Sequence, residues 1–202
     1  MTRTMNLTRR AISGAALLLA AAGAANAQTI TFDALPGSNG SAFAGPYSEA
    51  GFDVTLLSGA ICVAKSFGNP IPDLFGGSVC STSTAATLSV KKAGGGFFQF
   101  IGADLATQNG TSNYTFAGYV GAVSQYSAGG VLPGTGAFAT YAGSAPGTSI
   151  DELRIALSVN EATSYNIDNI QLASTTVPEP ASFVLLGAGL AGVALARRKR
   201  RA

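Results

Sequence analysis

Across residues 28–176 apolar side chains recur at every second position and nowhere hold a sustained period of 3.6. Such alternation sends successive side chains to opposite faces of an extended strand. The segment can therefore bury one face of a sheet, but it offers no stripe for a helix. Ile30 and Phe32 alternate with Thr29 and Thr31, and Phe52, Val54 and Leu56 with Asp53, Thr55 and Leu57. Tyr114, Phe116, Gly118 and Val120 alternate with Thr115, Ala117 and Tyr119. Leu153, Ile155, Leu157 and Val159 alternate with Glu152, Arg154, Ala156 and Ser158. Phe98 and Phe100 follow Gly94-Gly95-Gly96, which reads as a hairpin turn. Clusters such as Pro36-Gly37-Ser38-Asn39-Gly40 and Gly76-Gly77-Ser78 separate the runs. About eight or nine short strands at this spacing predict an all-β, antiparallel two-sheet sandwich of jelly-roll type.

The last run changes phase. Tyr165 and Ile167 share one parity, Ile170 and Leu172 the other, so a bulge or twist is expected at Asp168-Asn169. The first strand is expected to end at Asp33. Thr31-Phe32-Asp33 and Ile167-Asp168-Asn169-Ile170 loosely resemble the edges of jelly-roll carbohydrate-binding modules.

The residues bound the chemistry tightly. The chain has no His and two Cys, which removes Ser-His-Asp, Cys-His and His-metal mechanisms as well as a Cys-only zinc site. There is no Gly-x-Ser-x-Gly elbow. Asp151 and Glu152 are neighbours that alternation sends to opposite faces, and Asp33, Asp53 and Asp104 are scattered, so no acid/base pair is placed for glycan hydrolysis. No catalytic residue and no enzyme activity are expected. Calcium is the metal that best suits the set, with Asp33 and Asp168 near the two ends of the domain as candidate ligands; turn capping is the alternative for both. Sugar contact would fall to Tyr47, Tyr119, Tyr126 or Tyr141, since Trp is absent. Cys62 and Cys80 can pair in an exported domain.

Charge is unevenly distributed. Residues 28–176 hold nine acids and four bases, a net −5, while both ends are basic. No basic patch for nucleic acid lies in the middle. The N-terminal end carries Arg3, Arg9 and Arg10, then the apolar stretch 11–22, then Ala25-Asn26-Ala27. That is the pattern of a secretory signal peptide over residues 1–27, with cleavage between Ala27 and Gln28. Thr8-Arg9-Arg10 is a partial twin-arginine pattern, and the general secretory route is favoured. The C-terminal end reads Val177-Pro178-Glu179-Pro180, then 16 apolar residues over 181–196, then Arg197, Arg198, Lys199, Arg200 and Arg201. As a helix the apolar run is about 24 Å long, short for a bilayer but able to span it with thinning and snorkelling of the flanking arginines. The basic cluster should stay cytoplasmic, which places the two prolines outside in an extended, protease-accessible segment.

This order of motif, apolar run and basic cluster over 177–202 resembles the PEP-CTERM sorting signal of Gram-negative bacteria. The resemblance implies recognition by an exosortase, a membrane cysteine protease, after export. It implies a transient stay in the inner membrane and then release to the cell surface or the exopolysaccharide matrix. A plain single-span anchor is the alternative. Together these readings predict a signal peptide (1–27), an exported sandwich (28–176) and a sorting segment (177–202). The sandwich would act as a non-catalytic module associated with polysaccharide or biofilm matrix, or alternatively as a lectin, with or without calcium.

Overall fold

The computed structural model describes residues 27–66 and 71–174. The expected signal peptide up to residue 26, the sorting motif, the apolar run and the basic cluster lie outside the described residues. Twelve strands follow one another: β1 (Ala27–Ile30), β2 (Tyr47–Glu49), β3 (Phe52–Gly59), β4 (Cys62–Ala64), β5 (Asp73–Gly77) and β6 (Ala85–Lys92), then β7 (Phe98–Gln108), β8 (Ser112–Val120), β9 (Val123–Leu132), β10 (Ala139–Ala142), β11 (Glu152–Val159) and β12 (Ser164–Ser174). There is no helix among the described residues. The strands beyond the expected eight or nine are mostly short; β2, β4, β5 and β10 have three to five residues, too few to show an alternation.

The strands form two six-stranded antiparallel sheets. Sheet A runs β10-β7-β12-β5-β4, with β1 also paired to β12, and sheet B runs β2-β3-β6-β11-β8-β9. The alternating residues meet between them. Phe52, Val54, Leu88, Val90, Phe116, Leu153 and Ile155 of sheet B pack with Leu74, Phe98, Phe100, Leu105, Tyr165 and Ile167 of sheet A. Two edge-to-face aromatic pairs join the layers, Phe52–Phe98 at 5.1 Å and Phe100–Phe116 at 4.7 Å between centroids. Tyr165 is wholly buried because its ring lies over Gly76, where a Cβ would stand 2.3 Å from the ring.

Three local features depart from a plain alternation. β1 stops at Ile30, short of Asp33, because Phe32 takes a left-handed φ of 58°. The Glu49 carboxylate holds that turn: Oε2 accepts from the backbone N–H groups of Thr31 and Phe32, at 3.0 and 2.9 Å. Phe32 is thereby still delivered to the core. On β12 the register against β7 shifts between Asp168 and Gln171, and Asn169 has φ 45°. This bulge lets Tyr165, Ile167, Ile170 and Leu172 all enter the same core, at 0 % exposure each. Gly94-Gly95-Gly96, at φ 77°, 84° and 101°, is not the expected hairpin turn. It joins β6 of sheet B to β7 of sheet A, so it turns the chain from one layer to the other. Cys62 and Cys80 form a disulfide with Cα atoms 5.6 Å apart.

Candidate functional site

Both sheets bury carboxylates on the faces that point away from the core, Asp73 and Asp168 on sheet A and Glu152 on sheet B. On sheet A, Asp168 of β12 stands directly opposite Asp104 of β7, and Asp104 opposite Thr140 of β10. On the other side of β12, Ile167 pairs with Leu74, which brings Asp73 level with Asp168. Three carboxylates thus form a row across neighbouring strands. Asp104 is well supplied: its Oδ1 accepts from the Thr140 hydroxyl at 2.5 Å and its Oδ2 from the Asn169 amide at 2.9 Å. Asp73 accepts from the Asn166 amide at 2.9 Å through Oδ1. Its Oδ2 and the Oδ1 of Asp168 are buried and accept nothing. Burial pushes both carboxyls up to about 7. For Asp73 the neighbouring Asp168 adds to the rise against the opposing Asn166 bond, and for Asp168 the charges of Asp104, Asp33 and Glu49 add to it.

At neutral pH Asp73 and Asp168 can each take up a proton, and their unpartnered oxygens are of the kind a hard cation takes. The donors are all oxygens, and two of them lack partners, which is the chemistry calcium takes. Asp33, however, is exposed and its Oδ2 already accepts from the Thr31 hydroxyl at 2.9 Å. Among the described residues no three His, Cys, Asp or Glu side chains converge closely enough to hold a metal. Asp33 and Asp168 are within electrostatic reach, yet the carboxylates nearest Asp168 in the sheet are Asp73 and Asp104. Sequence reading missed both, because strand order brings them beside Asp168 and chain order does not.

Among the described residues no further element covers the outer face of sheet B. Asp53, Lys91, Glu152 and Tyr119 lie side by side on β3, β6, β11 and β8. Glu152 is 4 % exposed and fully supplied. The Ser89 hydroxyl donates to its Oε1 at 2.8 Å, Arg154 donates through Nε at 3.0 Å and Nη2 at 3.1 Å, and Lys91 Nζ lies 3.6 Å away. The Arg154 bonds are the main reason its carboxyl is held below the usual range. Arg154 also lies over the Tyr119 ring, 4.3 Å from the centroid. Thr55, Thr87, Thr115, Asn113 and Ser158 continue this face in small polar groups.

Of the four candidate tyrosines, the structure leaves only Tyr119 on an open face. Tyr47 is 7 % exposed, stacks at 5.6 Å on Phe32 and donates to Glu49. Tyr126 and Tyr141 pack against the core. Asp151 does not join Glu152; it caps a turn by accepting from the Gly121 N–H at 2.8 Å. A pocket of about 270 Å³ lined by Pro36, Ser41, Phe43, Pro46 and Tyr47 contains no carboxylate or basic side chain.

The segment 176–201 carries a PEP-CTERM protein-sorting motif. No curated protein sequence matches the chain. Among solved structures, it is similar to TmCBM61, solved with β-1,4-galactotriose (TM-score 0.41, 10 % identity, 61 % of this chain and 88 % of that one). It is similar to a CBM6 module of Cellvibrio mixtus lichenase 5A, solved with cellotriose (TM-score 0.33, 15 % identity, 74 % and 98 %). It is also similar to the CBM22-1–GH10 modules of a Clostridium thermocellum xylanase, with TM-score 0.40, 12 % identity and 74 % of this chain, but only 28 % of that one.

Proposed function

We propose that the chain is exported and held transiently in the inner membrane by residues 181–196. An exosortase then processes it at Val177-Pro178-Glu179-Pro180, which leaves a non-catalytic sandwich at the cell surface or in the exopolysaccharide matrix. The sorting motif supports the route. The outer face of sheet B supports the task, and one observation carries it: Tyr119 beside Arg154, Glu152 and Lys91 on a face that no other described element covers. A pyranose offers an apolar C–H face and a rim of hydroxyls. An aromatic edge with fixed donors and acceptors answers both. Two acids and two bases balance the row and its Arg154, which suits a neutral polysaccharide and gives nucleic acid no basic stripe.

The test is saturable binding of the full chain in detergent to a polysaccharide panel, with calcium and with chelator. One glycan class should bind, and Tyr119→Ala and Arg154→Ala should each weaken it about tenfold. Wild-type binding in both variants would sink the role of sheet B. Replacing Pro178, Glu179 and Pro180 with alanine should leave the full-length form in the inner membrane; unchanged processing would refute the route.

A second reading is a calcium-dependent lectin. It rests on the partnerless Asp168 Oδ1 among Asp73, Asp104, Asp33 and Glu49. Asp168 and Asp73, with backbone carbonyls, would supply the oxygen ligands. Bound calcium would tie β12 to its neighbours without itself touching sugar. Chelator-sensitive glycan binding that Asp168→Asn abolishes would favour it; chelator-insensitive binding would remove it.

A further inference from the structure

Every terminal strand of the two sheets is short except one, although β2 pairs only with Phe52–Val54 of β3 and leaves the rest of that strand without a partner on that side. Strands β1, β2, β4 and β10, each at a margin, have three or four residues. The margin of β4 is also covered, since Gly40 and Phe43 donate to the carbonyls of Val63 and Ile61, and Val63 donates to Ser41. β9 is the opposite case. It closes sheet B with ten residues, Val-Ser-Gln-Tyr-Ser-Ala-Gly-Gly-Val-Leu, and contains no charge and no proline. Short edges, edge lysines, edge prolines and bulges are the devices that stop sheets from pairing with foreign strands. The one bulge of β9 falls at Gln125, where the register against β8 shifts, and from Tyr126 to Leu132 the pairing is regular. β9 has none of these devices beyond Gln125.

Pairing with β8 leaves alternate backbone groups of β9 pointing outward. Among the described residues, no backbone hydrogen bond beyond the ladder with β8 involves residues 123–131. Local side-chain bonds reach only the start of the strand, where Gln125 donates to the Val123 carbonyl and Ser124 to that of Tyr126. The stretch from Ser127 onward is open, and Val131 is 58 % exposed. Charge selects the occupant. Residues 28–176 have a net charge of −5, which opposes contact between two copies, but residues 121–150 contain no charged residue at all. Along β9 two copies can approach without that penalty.

We infer that β9 is a homotypic docking edge, on which a second copy of this chain adds its own β9 antiparallel and joins two six-stranded sheets into one. In an antiparallel pair opposed residues share a face, so the two-fold axis passes midway between one residue and its own copy. With the axis at Gly129, Ser127 faces the partner's Val131, and the contact is closed and self-complementary. Such pairing would link sandwiches laterally at the surface, and it needs no glycan.

The experiment compares the full chain with the double variant Ser127→Lys, Val131→Lys by sedimentation velocity in detergent over a dilution series. Both positions are exposed, so lysine leaves the monomer fold intact, checked by the thermal midpoint. The expected result is a reversible dimer in the wild type and loss of that dimer in the double variant at every concentration. A wild-type monomer throughout, or a dimer that both lysines leave unchanged, overturns the proposal. If the double variant unfolds, Ser127→Lys alone carries the same comparison.

Discussion

Glu152 on sheet B and Asp168 on sheet A are both almost wholly buried on the outer faces of their sheets, at 4 % and 1 % exposure. Glu152 is met by Ser89, Arg154 and Lys91 and is held ionised. Asp168 is met by other carboxylates, keeps one oxygen without a partner, and is pushed up to about 7. Depth of burial is therefore not what separates the two faces. The sign of the neighbours does: Glu152 lies among cations that keep it ionised, while Asp168 lies near carboxylates that add to the rise caused by its burial.

The comparison is broken most forcefully at Glu152. Glu152→Ala leaves the Ser89 hydroxyl, itself 1 % exposed, without a partner and two cations facing each other. An orphaned buried hydroxyl costs about 1–3 kcal/mol, so the urea midpoint should drop clearly at pH 7. An unchanged midpoint would mean that sheet B does not depend on its central acid.

Asp73→Asn should move stability the other way. The amide oxygen can keep the Asn166 bond, and a neutral group replaces one of the two buried carboxyls that stand level across β5 and β12. At pH 8 the gain should be about 1 kcal/mol, shrinking toward pH 5. The wild type supplies the reason. A native carboxyl near 7 binds its proton more tightly than an unfolded one near 3.8. Stability from these groups is complete below about 4 and is lost as pH rises through about 7. Denaturation at pH 5 and pH 8 in chelator reads this directly. If calcium restores the pH 8 stability and Asp73→Asn abolishes that rescue, the positive charge that these carboxyls take up is a cation and not a proton.

Much of this contrast could not be read along the chain. The long alternating runs over β3, β8 and β11 announced their faces, and the parity switch at Asp168 announced its bulge, because both are properties of a single strand. The row Asp73, Asp168, Asp104 depends on the order β5-β12-β7, which places residues far apart in sequence on adjacent strands. Gly94-Gly95-Gly96 misled for a similar reason: a glycine turn has the same composition whether it returns the chain to its own sheet or passes it to the other. Tyr119 was one of four equal candidates until strand pairing set it beside Arg154 and sank the other three into packing.

The smallest stability effect should fall on the feature with the largest proposed role. Tyr119 is half-exposed, and its contact with Arg154 lies on the open side of the sheet, where solvent screens the attraction. Arg154 keeps both bonds to Glu152 when the ring is removed, so the charge network beneath survives. Tyr119→Ala should hold the thermal midpoint within about 2 °C, as expected for a surface position. Paired with the polysaccharide assay, that small shift separates recognition from folding. Lost glycan binding at an unchanged midpoint assigns Tyr119 to the ligand. A midpoint that falls as far as in Glu152→Ala would show instead that the ring braces the sheet, and the open face would lose its claim to be a binding surface.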